Sequence, residues 1–140
     1  MAYNFLKKLN YTGDKVKTIL LIAALIFSSS VMAAKPVCHE TSGGFCVYKG
    51  KVERIYINSH NMMLIYFDTP LTLADANIAG YTITYKGAAS FNVDENPDFA
   101  KSFYSTALAA QATNRNVTIQ MRGTYAGYLK FDRIWLDAEG

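Results

Sequence analysis

The stretch Asn96 to Met121, NPDFAKSFYSTALAAQATNRNVTIQM, carries one helix and the strand that follows it. Asn96 is a helix cap and Pro97 suits the first helical position, where no donor is needed. Asp98 sits where the positive end of the helix dipole favours an acid. Phe99, Phe103, Ala107 and Ala110 then recur at helical spacing with Leu108 alongside, until Thr113-Asn114-Arg115-Asn116 stops the run. The spacing predicts a helix over 97–113. Its small residues, Ala107, Ala109, Ala110 and Ala112, allow close approach to a sheet or a second helix. Val117 to Met121 alternates in polarity and reads as a strand.

Upstream, Lys49 to Ile57 (KGKVERIYI) alternates, with Val52, Arg54 and Tyr56 on one face and Lys51, Glu53, Ile55 and Ile57 on the other. Asn58-Ser59-His60-Asn61 is a turn by composition. Met62 to Phe67 is a second, nearly continuous apolar strand, so 50–68 is a hairpin that Asp68-Thr69-Pro70 ends. Residues 71–79 fit a helical turn or a loop and read as irregular. Gly80 to Tyr85 alternates and Ser90 to Val93 resumes the pattern, which predicts a third strand over 80–93, bulged or broken in the middle. Downstream, Gly123 to Gly127 is a turn. Tyr128 to Leu136 is the last strand, with Tyr128, Lys130, Asp132, Ile134 and Leu136 on one face and Leu129, Phe131, Arg133 and Trp135 on the other. The order β-β-β-α-β-β predicts a mainly β fold with one helix, a small OB-fold-like barrel over 49–140.

The chain has 140 residues, of which 51% are hydrophobic and 18% charged, enough for one folded domain and too apolar for a disordered chain. Its net charge of +3 lies wholly at the front. Residues 1–33 hold four lysines against one aspartate, and residues 34–140 hold ten bases against ten acids. A neutral body lacks the positive groove that single-stranded nucleic acid requires, so no nucleic-acid partner is expected.

Residues 1–18 are polar and basic, Ile19 to Phe27 is an apolar run of nine, and Val31-Met32-Ala33 places small residues before a cut. These are the parts of a signal peptide over 1–33, with cleavage after Ala33 preferred to cleavage after Ala34. A run of nine is well short of the roughly 20 residues a membrane span needs. The mature chain is expected in a secreted or periplasmic compartment, with no membrane span after cleavage. Its two cysteines, Cys38 and Cys46, then read as a disulfide closing the segment 34–48, with Gly43-Gly44 making the reversal. A metal site on Cys38, His39 and Cys46 would lack a fourth ligand, and no metal is expected.

No catalytic constellation stands out. His39 lies inside the cysteine loop and His60 in a turn, with no nucleophile elbow near either. Asp94, Glu95 and Asp98 cluster at a helix start, where the dipole accounts for them. No nucleotide-binding motif occurs, and no cofactor is expected. The aromatic residues are more telling. Tyr48, Tyr56, Tyr66, Tyr81, Tyr85, Tyr104, Tyr125 and Tyr128, with Trp135, offer flat apolar faces bearing polar tips, suited to sugars and to protein interfaces. Tyr125 and Tyr128, flanking the last turn, are the leading ligand-binding pair, with Tyr48 and Lys49 as further candidates.

With a leader in front, this pattern resembles the small binding subunits of AB5-type toxins, in particular the subtilase-cytotoxin and pertussis-like group. The best local likeness is Asp98 to Met121, an aromatic- and Ala-rich helix followed by a Thr-Asn turn and the strand Val117-Thr118-Ile119. A weaker one is Val52–Ile57 leading into Leu64–Phe67. Where sialic-acid-binding members of that group place a serine before the first strand, this chain has Tyr48-Lys49-Gly50. Where they carry an arginine in the fourth strand, it has Thr118. The resemblance therefore implies the fold and not sialic-acid binding.

The function expected from this reading is a secreted, non-catalytic binding module for a glycan or a protein. In the resemblance it is the subunit of a ring-forming homo-oligomer with a secreted partner subunit. Phe99, Phe103 and Ala110 form the helix stripe that the barrel buries, which leaves Tyr104, Ala107, Leu108 and Gln111 as candidate oligomer contacts. The alternative is a structural or accessory periplasmic protein without a small-molecule ligand.

Overall fold

An alternating run, 52–57, and a nearly continuous apolar run, 62–67, on either side of a short turn pair as expected into antiparallel strands, with Ile55 set against Ile65 and Tyr56 against Leu64. The computed structural model describes residues 34–138, so the predicted leader over 1–33 lies outside the described residues. The strands are β1 (Ala34–His39), β2 (Phe45–Gly50), β3 (Val52–Ile57), β4 (Met62–Phe67), β5 (Ala88–Asn92), β6 (Val117–Tyr125) and β7 (Tyr128–Leu136). Helix α1 (Leu73–Ile78) lies between β4 and β5, and α2 (Pro97–Ala112) between β5 and β6. All seven strands form one sheet in the order β1-β2-β6-β7-β5-β4-β3. Only the β5–β7 pair is parallel.

The fold is mainly β, as the sequence implies, but its order differs from the predicted β-β-β-α-β-β. There are two helices and an additional hairpin at the front. The segment 34–48 is part of the sheet and not an appendage, because β1 pairs with β2 and β2 continues the ladder to β6. No ladder joins β1 to β3, so hydrogen bonds do not close the sheet among the described residues. β2 and β3 nevertheless stand second and seventh in it while Lys51 alone separates them in sequence. Helix α1 was hidden by its length. It is fixed by a capping box, with the Asp75 backbone N–H donating to Thr72 Oγ1 at 3.1 Å and the Thr72 N–H to Asp75 Oδ2 at 3.2 Å. The expected strand over 80–85 is absent, and only 88–92 pairs. The N–H groups of Thr84 and Tyr85 both go to one acceptor, the Gly127 carbonyl, so no ladder forms there.

Bulges in β3 and β7 reset the alternation. Val52 is set against Phe67 and Arg54 against Tyr66, so Glu53 is an extra residue, and Val52 and Ile55 share the inner face. On β7, Phe131 faces Met121 and Arg133 faces Gln120, so Asp132 is extra. Leu129 and Phe131 point inward before it, and Ile134 and Leu136 pack on the core after it. The faces expected for β7 therefore hold only as far as Phe131.

Helix α2 buries Ala100, Phe103, Ala107 and Ala110, and its small residues let the helix lie close on β7. Phe103 stacks on Phe131 with centroids 4.3 Å apart, and Phe99 bridges Phe103 to Phe91. Removing a Phe side chain of this kind from water contributes about 2–3 kcal/mol. Gln111 Nε2 donates to the carbonyl of Glu53 at 3.1 Å, tying the helix end to the bulge in β3. Cys38 and Cys46, directly opposed in the β1–β2 hairpin, form the disulfide. Among the described residues no helix is long and apolar enough to cross a membrane.

Candidate functional site

The outer face of the β3–β4–β5 ladder gathers side chains from residues far apart in sequence. One row across it runs Arg54, Tyr66, Ala88, and the next runs Tyr56, Leu64, Ser90. β7 extends both rows, since Leu129 and Lys130 pair with Ala89 and Ser90, which sets Tyr128 beside Ala88. Leu64, Ala88 and Ser90 are buried within these rows, and Ser90 Oγ donates to the Tyr125 carbonyl at 2.7 Å.

Loop 80–87 supplies a fourth tyrosine. Ala126 and Gly127 make a two-residue turn with φ of 52° and 82°, the positive values a tight hairpin turn uses. The Gly127 carbonyl holds the loop through its two bonds from Thr84 and Tyr85. A Cβ at Gly127 would stand 3.2 Å from Tyr85 Cδ2 and 3.3 Å from Thr84, so the clasp requires glycine. Tyr85 then stacks on Tyr128 with centroids 4.6 Å apart. Arg54 lies over the Tyr66 ring with its Cζ 4.0 Å from the centroid.

The other three phenols act on Tyr128. Burial first, then the neighbouring hydroxyls of Tyr66, Tyr85 and Tyr56, hold Tyr128 above the ordinary tyrosine range. The hydroxyls of Tyr48 and Tyr81 bond to protein oxygens. Those of Tyr56, Tyr66, Tyr85 and Tyr128 bond to no described residue. Tyr85 is 52% exposed and Tyr56 42%. The face thus offers rings together with hydroxyls that no described residue engages.

Of the predicted ligand residues, Tyr128 is in this cluster and Tyr125 pairs with it across the turn. Tyr48 is not at the surface. It is fully buried and stacked on Phe67, with centroids 4.3 Å apart. Lys49 is exposed but lies on β2, separated from β7 by β6, and pairs with Asp137 at 3.8 Å. Of the oligomer candidates, Ala107 is fully buried within the chain itself and Gln111 is bonded to β3, whereas Tyr104 and Leu108 remain exposed. Sequence reasoning missed Arg54, Tyr56, Tyr66 and Tyr85 as a set. The available signal was the turn at 58–61, whose hairpin places Arg54 opposite Tyr66.

Two shallow grooves flank α2. One, of about 340 Å³, has Phe91, Phe99 and Phe131 in its lining, and its charges pair internally as Lys130–Glu95 and Arg122–Asp132. The other, of about 380 Å³, exposes Trp135 beside Ile134 and Thr106. Among the described residues no cluster of three His, Cys, Asp or Glu could hold a metal ion. No family model matches the chain, and neither a curated protein nor a solved structure matches it.

Proposed function

We propose that the protein is a secreted, non-catalytic binding module whose tyrosine face takes a glycan. The observation that carries this reading is the convergence of Tyr56, Tyr66, Tyr85 and Tyr128 on one face with hydroxyls that no described residue engages. Pyranose rings present C–H faces that stack on aromatic rings and hydroxyls that exchange hydrogen bonds with phenols. The Cys38–Cys46 disulfide supports a non-reducing compartment, consistent with the leader.

The OB-like barrel belongs to the same proposal. With Phe45–Ile57 counted as one strand interrupted at Lys51, the strands after β1 follow the order three strands, long helix, two strands. The two ends of the ladder are then joined through the chain itself. In the toxin-like reading the protein is one subunit of a homo-oligomer, with exposed Tyr104 and Leu108 as the remaining helix contacts.

A glycan array probed with the exported protein tests the function. Binding to defined saccharides, abolished by Tyr85→Ala or Tyr128→Ala with the fold intact by circular dichroism, is the expected result. An empty array would overturn the reading in favour of an accessory protein without a small ligand.

A further inference from the structure

The protein has four arginines, and three of them hold oxygens of the chain itself. Arg115 donates to the Asp137 carbonyl, Arg122 pairs with Asp132 and reaches the Ser42 carbonyl, and Arg133 pairs with Asp132 at 3.2 Å. Arg54 holds none. Among the described residues no carboxylate pairs with it, and its guanidinium rests on the Tyr66 ring at 4.0 Å. Stacking engages the flat face of a guanidinium and leaves its five N–H donors, which lie in the plane, directed outward. Cross-strand pairing restricts both partners, since Arg54 stands directly opposite Tyr66 in the β3–β4 ladder. The cation is thus oriented before any ligand arrives, and it lies in the same row as Tyr66 and Tyr128.

A planar fork of donors matches two oxygens of one oxyanion, carboxylate or sulfate, which it binds in bidentate fashion. Neutral sugar hydroxyls would make no use of the charge. Resting on the glycan-binding reading above, we propose that the tyrosine face takes acidic saccharides, with Arg54 holding the carboxylate or sulfate and Tyr56, Tyr66, Tyr85 and Tyr128 holding the ring. The neutral body of the protein fits this assignment, because selection for acid then comes from one fixed guanidinium and not from a diffuse positive field.

The test uses an array of oligosaccharide pairs that differ only in a carboxylate, its methyl ester or a sulfate, probed with the exported protein. Acidic members should bind at least about tenfold more tightly than their neutral counterparts, as expected for a charged hydrogen-bonded pair. Arg54→Gln should remove that ratio while leaving residual binding to the neutral members, and comparison of carboxylate with sulfate members identifies the anion. Equal binding of acidic and neutral members, or a ratio unchanged in Arg54→Gln, would overturn the acidic assignment and leave the glycan reading standing. Absence of binding to every saccharide would overturn both.

Discussion

The Tyr48 hydroxyl donates to Asp68 Oδ1 at 2.7 Å, and the Asp68 backbone N–H donates back to the Tyr48 hydroxyl oxygen at 3.4 Å. The hydroxyl also contacts the Lys51 carbonyl, and the Lys51 N–H reaches Asp68 Oδ2 at 3.3 Å. A buried phenol thus fastens the end of β4 to the single residue at which β2 passes into β3. It reads in sequence as a candidate ligand residue, and it is the clamp of the sheet instead.

Gly50 makes room for that clamp. A Cβ there would lie 2.5 Å from the Tyr48 hydroxyl and 3.0 Å from Asp68 Oδ1. Gly50→Ala should destabilise the protein by about 2 kcal/mol, as overpacking a fixed site does. In a Tyr48→Phe background the same change should cost less, because the closest clashing atom is gone. Denaturant unfolding of the four proteins gives the cycle, and strictly additive effects would exclude the contact as the cause.

The same hydroxyl sets an alkaline limit. Burial first, and then Asp68, push the Tyr48 pKa far above the usual value near 10. The unfolded chain releases this proton above about pH 10 while the folded protein keeps it, so the associated stability is full below pH 10 and is lost as pH rises beyond it. The expected slope from this group is about 1.4 kcal/mol per pH unit while only the unfolded state titrates. Unfolding free energies of the native protein and Tyr48→Phe should converge between pH 10 and pH 11, and parallel curves would refute the assignment.

How much of this was legible in sequence depends on periodicity. Helix α2 could be read from Asn96, Pro97 and the Phe99/Phe103/Ala107/Ala110 spacing, because caps and a 3.6-residue repeat are local signals. The disulfide was legible as two cysteines with a glycine pair between them. Glu53 and Asp132 were not legible as bulges. An extra residue in a strand leaves composition unchanged and shows only when a partner strand sets the register, and so the faces of β3 and β7 were misread beyond those points. The tyrosine face was hidden for the same reason. Tyr66 and Tyr128 meet through a parallel β5–β7 pairing that no local pattern announces.

Ala107 separates fold from assembly. Its side chain is wholly buried against the sheet, so Ala107→Glu should unfold the protomer, with a loss of several kcal/mol for an unpaired buried charge. Tyr104→Ser and Leu108→Ser, at exposed positions of the same helix, should leave stability within about 0.5 kcal/mol. Mass by light scattering then reads self-association without that confusion. An unchanged mass in the double surface variant would exclude this helix face as the contact.

Cys38 and Cys46 should give no labelling by thiol reagents in the native protein. Replacing both with Ala should cost about 2–3 kcal/mol, the effect of opening a short loop, and thermal unfolding measures it. Two labelled thiols in the native protein would refute the bridge.

The passage through Lys51 also governs the order of assembly. β3, β4 and β5 are neighbours in sequence and in the sheet, so this meander can form as soon as its residues exist. β2 precedes it by one residue but has to wait, because Cys46 pairs with Met121 and Gly50 with Val117, near the far end of the chain. Pairings of such long span carry a large loop-closure cost before any contact rewards them, and sheets built this way fold over milliseconds to seconds, slower than helical domains. The β2–β6 ladder is thus the pairing of longest span in the sheet, and Lys51 is the one residue that divides it from the local meander.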